Sequence, residues 1–403
     1  MKKSLLIVCL FAVMALQART WTPSQVKDII RKVNTYWQAN NNAEVRSFWD
    51  NAAYHTGNIE VYKLFEEGGT RNEEGERMLD YSIRWAEFND WKGAKETDPA
   101  KWKYKQYGEG QDYVLFGDWQ ICFQTYIDLY FIEERGTRNE ERGENVTPEG
   151  NSSLFTLHSS LKTKRALEVM GYEADSPQND YWWWADALYM VMPVMTKMYK
   201  LTGDEKYLRK LYENLLYSDS IMLDAETGLY FRDGKYVYPK HKSVNGKKDF
   251  WARGDGWVLA GLAKVLQDMP ETYVRQPFFV EKYTRLARAV AACQQPQGYW
   301  TRSMLDPAHA PGPETSGTAF FTYGLLWGVN HGYLSKKEFA PVIAKAWKYL
   351  TETALQKSGK VGYVQPIGER AIPGQSVDQN SEANFGVGAF LLAACEYVRY
   401  ISH

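Results

Sequence analysis

Apolar residues recur at helical spacing along almost the whole chain. Thr22-Pro23-Ser24-Gln25 reads as an N-cap, a proline at the first helical position and a capping-box glutamine. Val26, Ile29, Val33 and Trp37 then follow three or four residues apart, one face of a helix. About twelve segments of this kind succeed one another. They begin near Pro23, Asn58, Gly75, Asp118, Ser153, Trp183, Asp204, Asp255, Pro277, Thr315, Lys336 and Ser381. Alternation of the strand kind is scarce and confined to linkers.

The linkers carry a weak internal repeat. Gly228-Leu229-Tyr230-Phe231, Gly298-Tyr299-Trp300 and Gly362-Tyr363-Val364 are short glycine-aromatic pieces. Each leads through a polar loop into a helix rich in small residues, opening at Trp251–Trp257, Glu314–Ala319 and Ser381–Gly386. Small residues permit close helix approach. The alternate helices, such as Asp204 to Ser220 and Lys336 to Leu355, are more charged. An inner ring of small-residue helices inside an outer amphipathic ring accounts for both compositions. The pattern therefore predicts an all-α toroid of six helical hairpins, one domain over residues 19–403, with no Pro/Ser-rich linker to divide it. The charged run Glu133 to Gly150 is expected to be a surface loop. If every second helix is inner, their N-termini share one mouth, and the loops before them line one concave site.

Composition narrows the partners. With 48 Lys and Arg against 49 Asp and Glu, nothing calls for nucleic acid or an anionic membrane surface. Residues 1–18 read as a leader: Lys2 and Lys3, an apolar run from Ser4 to Leu16, and Ala18 for cleavage. An exported, periplasmic or secreted bacterial protein is expected, and no later stretch is apolar enough to cross a bilayer. Cys122, Cys293 and Cys395 lie in apolar helical stretches and read as free buried thiols. The 15 Trp and 28 Tyr are unusual; large aromatic faces pack cores and also stack on sugar rings.

Several chemistries are missing. There is no Gly-x-Ser-x-Gly, P-loop or His-Glu-x-x-His, and the six histidines lack ligand spacing, so no tight metal site is expected. Carboxylates among aromatics remain, the apparatus of sugar chemistry. In Tyr181-Trp182-Trp183-Trp184-Ala185-Asp186-Ala187-Leu188-Tyr189-Met190 an acid sits among tryptophans. Desolvation there raises its pKa and suits it to general acid catalysis. A buried helix cap in an aromatic stripe accounts for it equally. Phe116-Gly117-Asp118-Trp119-Gln120 offers a second acid, for which the cap reading is somewhat favoured. Asp255, Glu314 and Glu382 read as caps.

These stretches, with Trp251-Ala252-Arg253-Gly254-x-Gly256-Trp257, Gln124-Thr125-Tyr126-x-Asp128-Leu129-Tyr130, Glu314 to Ala319 and the closing Gly386 to Ala393, resemble the unsaturated uronyl hydrolases of glycoside hydrolase families 88 and 105. The resemblance runs in order from Asp118 to the C-terminus. It implies an (α/α)6 barrel without cofactor, and removal of a terminal 4,5-unsaturated uronic acid from an oligosaccharide by hydration of the C4=C5 bond. Asp186 would be the acid and base, with Asp118 beside it. Arg253 would hold the uronate carboxylate, and Trp251 and Trp257 would stack on the sugar or wall the pocket. Trp119 and Trp184 are expected at the same site. Many relatives place a histidine shortly before the Trp-x-Arg block. Here that linker reads Tyr230-Phe231-Arg232-Asp233, so His241 or Arg232 takes the role, or it is lost. Two other readings stay open: an (α/α)-barrel glycosidase for a saturated sugar, and a non-catalytic glycan-binding protein.

Overall fold

The computed structural model describes residues 20–67, 73–143 and 152–402. The expected leader lies outside them. Outer and inner helices alternate along the chain. The outer ones are α1 (Pro23–Asn40), α3 (Glu73–Phe88), α6 (Ser152–Asp175), α9 (Lys206–Met222), α11 (Gln276–Ala292) and α13 (Lys336–Tyr349). The inner ones are α2 (Trp49–Glu66), α4 (Gly117–Gln120) continued by α5 (Cys122–Gly143), α7 (Ala185–Met190) continued by α8 (Met192–Thr202), α10 (Ala252–Asp268), α12 (Thr315–Asn330) and α14 (Asn384–Ser402). Each inner segment packs on the next, and α14 returns to α2, closing an (α/α)6 barrel. The capping box at Thr22 is present, with Gln25 N–H donating to Thr22 Oγ1 and Thr22 N–H to Gln25 Oε1.

Small residues do set the inner spacing. A Cβ on Gly57 of α2 would lie 2.4 Å from the Gly388 carbonyl oxygen of α14, and one on Gly388 2.4 Å from that of Ala53. No side chain fits at this seam. The inner helices are buried almost all round, as in α10, where every residue from Ala252 to Leu266 is buried; α1 buries one stripe. Cys122 and Cys395 are buried free thiols and Cys293 is half-buried.

Three expectations need correction. The second helix begins at Trp49, not near Asn58, because the small, polar and aromatic run Ala52 to Thr56 is buried in the ring and shows no amphipathic stripe. The run from Glu133 is not a loop at its start, since α5 continues to Gly143; residues 144–151 lie outside the described residues. Finally, α14 is long and apolar enough to cross a membrane, but 72% of that window is buried, as suits the inner helix that closes the ring.

The glycine-aromatic repeat becomes the rim of one mouth. The first residue of an inner helix donates its N–H to the linker that follows that hairpin: Ala185 to Arg232 O at 2.8 Å, Ala252 to Arg302 O at 3.0 Å, Thr315 to Tyr363 O at 2.9 Å. Trp184 pairs with Asp233, and Trp251 with Ser303, as isolated antiparallel bridges. Two buried acids brace the rim. Asp255 Oδ1 accepts from Tyr230 N–H at 2.8 Å, and Glu314 caps α12 through Ser316 and Gly317 while accepting from Gln365 N–H at 3.1 Å. The cap reading thus holds for Glu314, whereas Asp255 secures a linker, and Glu382 pairs with Lys360.

Candidate active site

The second residue of the helix opening each inner segment faces its counterparts. In ring order these are Asp50, Asp118, Asp186, Arg253, Ser316 and Phe385. Neighbours interact in sequence. Asp118 feels the charges of Asp186 and Asp50, and Asp186 that of Arg253. Arg253 Nη1 donates to Ser316 Oγ at 3.3 Å, and its guanidinium lies 4.6 Å from the Phe385 ring centre. Phe385 stacks on Trp49 beside Asp50. Six helix N-termini converge here, so the mouth carries their summed positive potential. Asp50 escaped the sequence reading because the start of its helix did; its buried Oδ1 has no hydrogen-bond partner.

Asp118 and Asp186 are both buried, at 4% and 7% exposure. Burial, then the Asp186 charge, pushes the Asp118 carboxyl well above the usual range. Burial also raises Asp186, but Arg232 and then Arg253 oppose it. Both native carboxyls keep protons that the unfolded chain has released once pH passes the ordinary aspartate range. Stability therefore falls as pH rises through that range toward the raised native value, and stays lowered above it. Asp118→Asn removes this penalty. Its thermal midpoint is expected above wild type at about pH 8 and equal to it at about pH 3, below the ordinary carboxyl range. Equal midpoints at both would show that Asp118 is fully compensated.

Arg232 is the cation against Asp186. Its Nε donates to Asp186 Oδ2 at 3.2 Å and its Nη1 to Asp233 Oδ2 at 2.7 Å, with Glu369 Oε2 at 3.4 Å. Backbone pairing explains the placement. The bridge sets Asp233 opposite Trp184, and the Arg232 carbonyl accepts the Ala185 N–H, one residue before the acid. Burial lowers the guanidinium pKa, but the three carboxylates outweigh it and hold the group above its usual range.

Several residues expected to touch a sugar are instead spent on the protein. Arg253 is fully buried; its Nη1 donates to Gln365 O at 2.8 Å and its Nη2 to Pro366 O at 2.9 Å. Trp251 covers it at 4.3 Å, and the Trp251 indole donates to Gln365 Oε1 at 2.7 Å. Arg253 therefore ties α10 to the loop before α14, and burial lowers its pKa to about 10. Trp257 is the barrel floor, packed on Tyr189, Phe320 and Phe385. Trp184 stacks on Phe116 and Trp119 packs edge-on against Phe48. None of these four indoles exceeds 3% exposure, so none offers an open face; Trp183 beside them is half-buried. His241 is bonded to Asp249 Oδ2 at 2.9 Å, and the same oxygen lies 3.6 Å from His309 Nε2. Of the two candidates for the missing histidine's place, the structure brings only Arg232 onto Asp186.

A cavity of about 1100 Å³ opens at the opposite mouth, among Glu60, Lys63, Glu133, Lys162, Glu396 and Arg399. Three of its cations are paired: Lys63 with Glu60, Lys162 with Glu133, and Arg399 with Glu396 and Glu67. No group of three or more potential metal ligands occurs among the described residues.

The profile of Glycosyl Hydrolase Family 88 matches residues 21–401. An unsaturated 3S-rhamnoglycuronyl hydrolase of Formosa agariphila is 37% identical over 366 residues, covering 85% of this chain and 95% of that one. A solved structure described as a family 88 glycosyl hydrolase from Bacteroides vulgatus is 52% identical, with a TM-score of 0.84, covering 94% of this chain and all of the other. Another, described as a polysaccharide lyase, is 62% identical, with a TM-score of 0.83, covering 94% of this chain and 98% of that one.

Proposed function

Because the chain belongs to glycosyl hydrolase family 88 and is a glycoside hydrolase, we propose that it removes a terminal 4,5-unsaturated uronic acid from an oligosaccharide by hydrating the C4=C5 bond. The observation that carries this reading is the 3.2 Å contact between Arg232 Nε and Asp186. In an unsaturated uronate the carboxylate is attached to C5, one of the two alkene carbons. A carboxylate held by the outer edge of Arg232 therefore brings the double bond up to Asp186. The incoming charge also occupies the arginine that opposes the rise in the Asp186 pKa, so Asp186 gains affinity for a proton as substrate binds. Asp118, whose carboxyl burial and the Asp186 charge also push up, is the adjacent acid. Asp186 then donates the proton to C4, and as a base assists addition of water at C5. The C5 hemiketal opens and the aglycone leaves as its alcohol. Export by way of residues 1–18 belongs to the same proposal.

The kinship to a structure described as a lyase supports a second reading, β-elimination, which runs the other way: it takes a proton from C5 and creates the double bond. One measurement separates them. Incubated in deuterium oxide with an unsaturated disaccharide, the protein is expected to abolish the double bond's ultraviolet absorbance and place deuterium on C4. Rising absorbance from a saturated uronate substrate would establish elimination instead. Cleavage of a saturated disaccharide without label at C4 would establish an ordinary glycosidase.

A further inference from the structure

We infer that Glu369 is an exchangeable counter-ion of Arg232 and so a specificity determinant: without ligand it occupies the place on the guanidinium that a uronate carboxylate takes on binding. This rests on the assignment of Arg232 as the carboxylate-binding residue. The three carboxylates around that guanidinium are not equivalent. Asp233 is bonded at 2.7 Å with a side chain 2% exposed, and Asp186 at 3.2 Å with one 10% exposed. Asp233 is itself bridged to Trp184, and Asp186 lies two residues after that tryptophan. Glu369 makes the longest contact, 3.4 Å, and its side chain is 44% exposed. It comes from the linker before α14, where Ile367 and Arg370 are exposed too.

Leaving Arg232 would cost Glu369 little. Its Oε1 accepts from the Tyr236 hydroxyl at 2.5 Å and its Oε2 from Lys235 Nζ at 3.0 Å, so it keeps two charge-assisted or short bonds elsewhere. Arg232 Nη2 takes part in none of the bonds described. A carboxylate reaching across Nη1 and Nη2 forms two parallel hydrogen bonds, better than the single long one it replaces. A neutral sugar offers no such pair and leaves Glu369 in place. Glu369 thus repels weak competitors for the guanidinium and yields to a carboxylate, which makes the terminal sugar's acid group a condition of entry.

Calorimetric titration of the full chain with glucuronate and with glucose tests this. In Glu369→Gln the affinity for glucuronate is expected to rise about three- to five-fold, the scale of a solvent-accessible ion pair, with glucose unchanged. Glu369→Ala should behave alike, and the KM for the unsaturated disaccharide should fall by a similar factor, more than kcat changes. Unchanged or weaker glucuronate binding, equal tightening toward glucose, or no glucuronate binding by either protein would overturn the inference. Its failure is separable from that of the hydrolase reading. Tightened glucuronate binding with no consumption of unsaturated disaccharide by wild type would keep the counter-ion and remove the reaction.

Discussion

Replacing Asp186 by asparagine is expected to lower kcat on an unsaturated disaccharide by at least about two orders of magnitude, the usual effect of losing a positioned general acid and base. The fold should survive. Asparagine is nearly isosteric, and its amide oxygen can still accept from Arg232 Nε, now 3.2 Å from the carboxylate. The half-buried arginine also keeps Asp233 and Glu369. Far-ultraviolet circular dichroism and the thermal midpoint should therefore stay close to wild type while turnover collapses. Turnover within about three-fold of wild type would remove Asp186 from the chemistry. Unfolding would return it to the role of a buried cap.

The second large effect is expected at Arg232 rather than Arg253. Arg232→Met deletes the guanidinium that would hold the uronate carboxylate and leaves Asp186 and Asp233 facing each other without it. A loss of about 10² or more in kcat/KM is expected, on the scale of truncating one partner of a desolvated charge pair. Most of it should fall on KM, with affinity for neutral glucose unaffected. Arg253→Lys is the contrast. Its two carbonyl bonds, to Gln365 and Pro366, and its packing between Trp251 and Phe385 belong to the protein itself. Lysine cannot reproduce that planar fork, so a lower thermal midpoint is expected before any change in substrate affinity. A raised KM with an unchanged midpoint in Arg253→Lys, and the reverse in Arg232→Met, would restore Arg253 as the clamp.

The two arginines also show where sequence reading reaches its limit. Both sit beside aromatic residues, and spacing alone cannot say which guanidinium spends its donors on main-chain carbonyls. Arg253 is the second residue of α10 and so points into the ring, where the Gln365–Pro366 segment, more than a hundred residues later, closes over it. Arg232 lies in a linker with no helical phase. It reaches Asp186 only because Trp184 and Asp233 pair across the rim. The tryptophans make the same point. Their indoles were legible as a cluster near two acids, but burial on every side turned Trp119, Trp184, Trp251 and Trp257 into walls. Asp50 was lost for a different reason: a helix buried on all faces has no amphipathic period to mark its beginning.

By itself, the sequence determined the helical class, the alternation of small-residue and charged helices, the single ring they form, and the two acids at its mouth. These follow from local periodicity, from side-chain volume at helix contacts, and from residue types that are costly to bury without purpose. Only the tertiary structure decided the rest. It set the register that lines up the second residue of six separate helices, the bridge that carries Arg232 to Asp186, and the approach of Glu369 from the last linker. Contacts between residues 46 and 137 positions apart, as from Arg232 to Asp186 and to Glu369, depend on how the ring closes, and no local pattern encodes that closure.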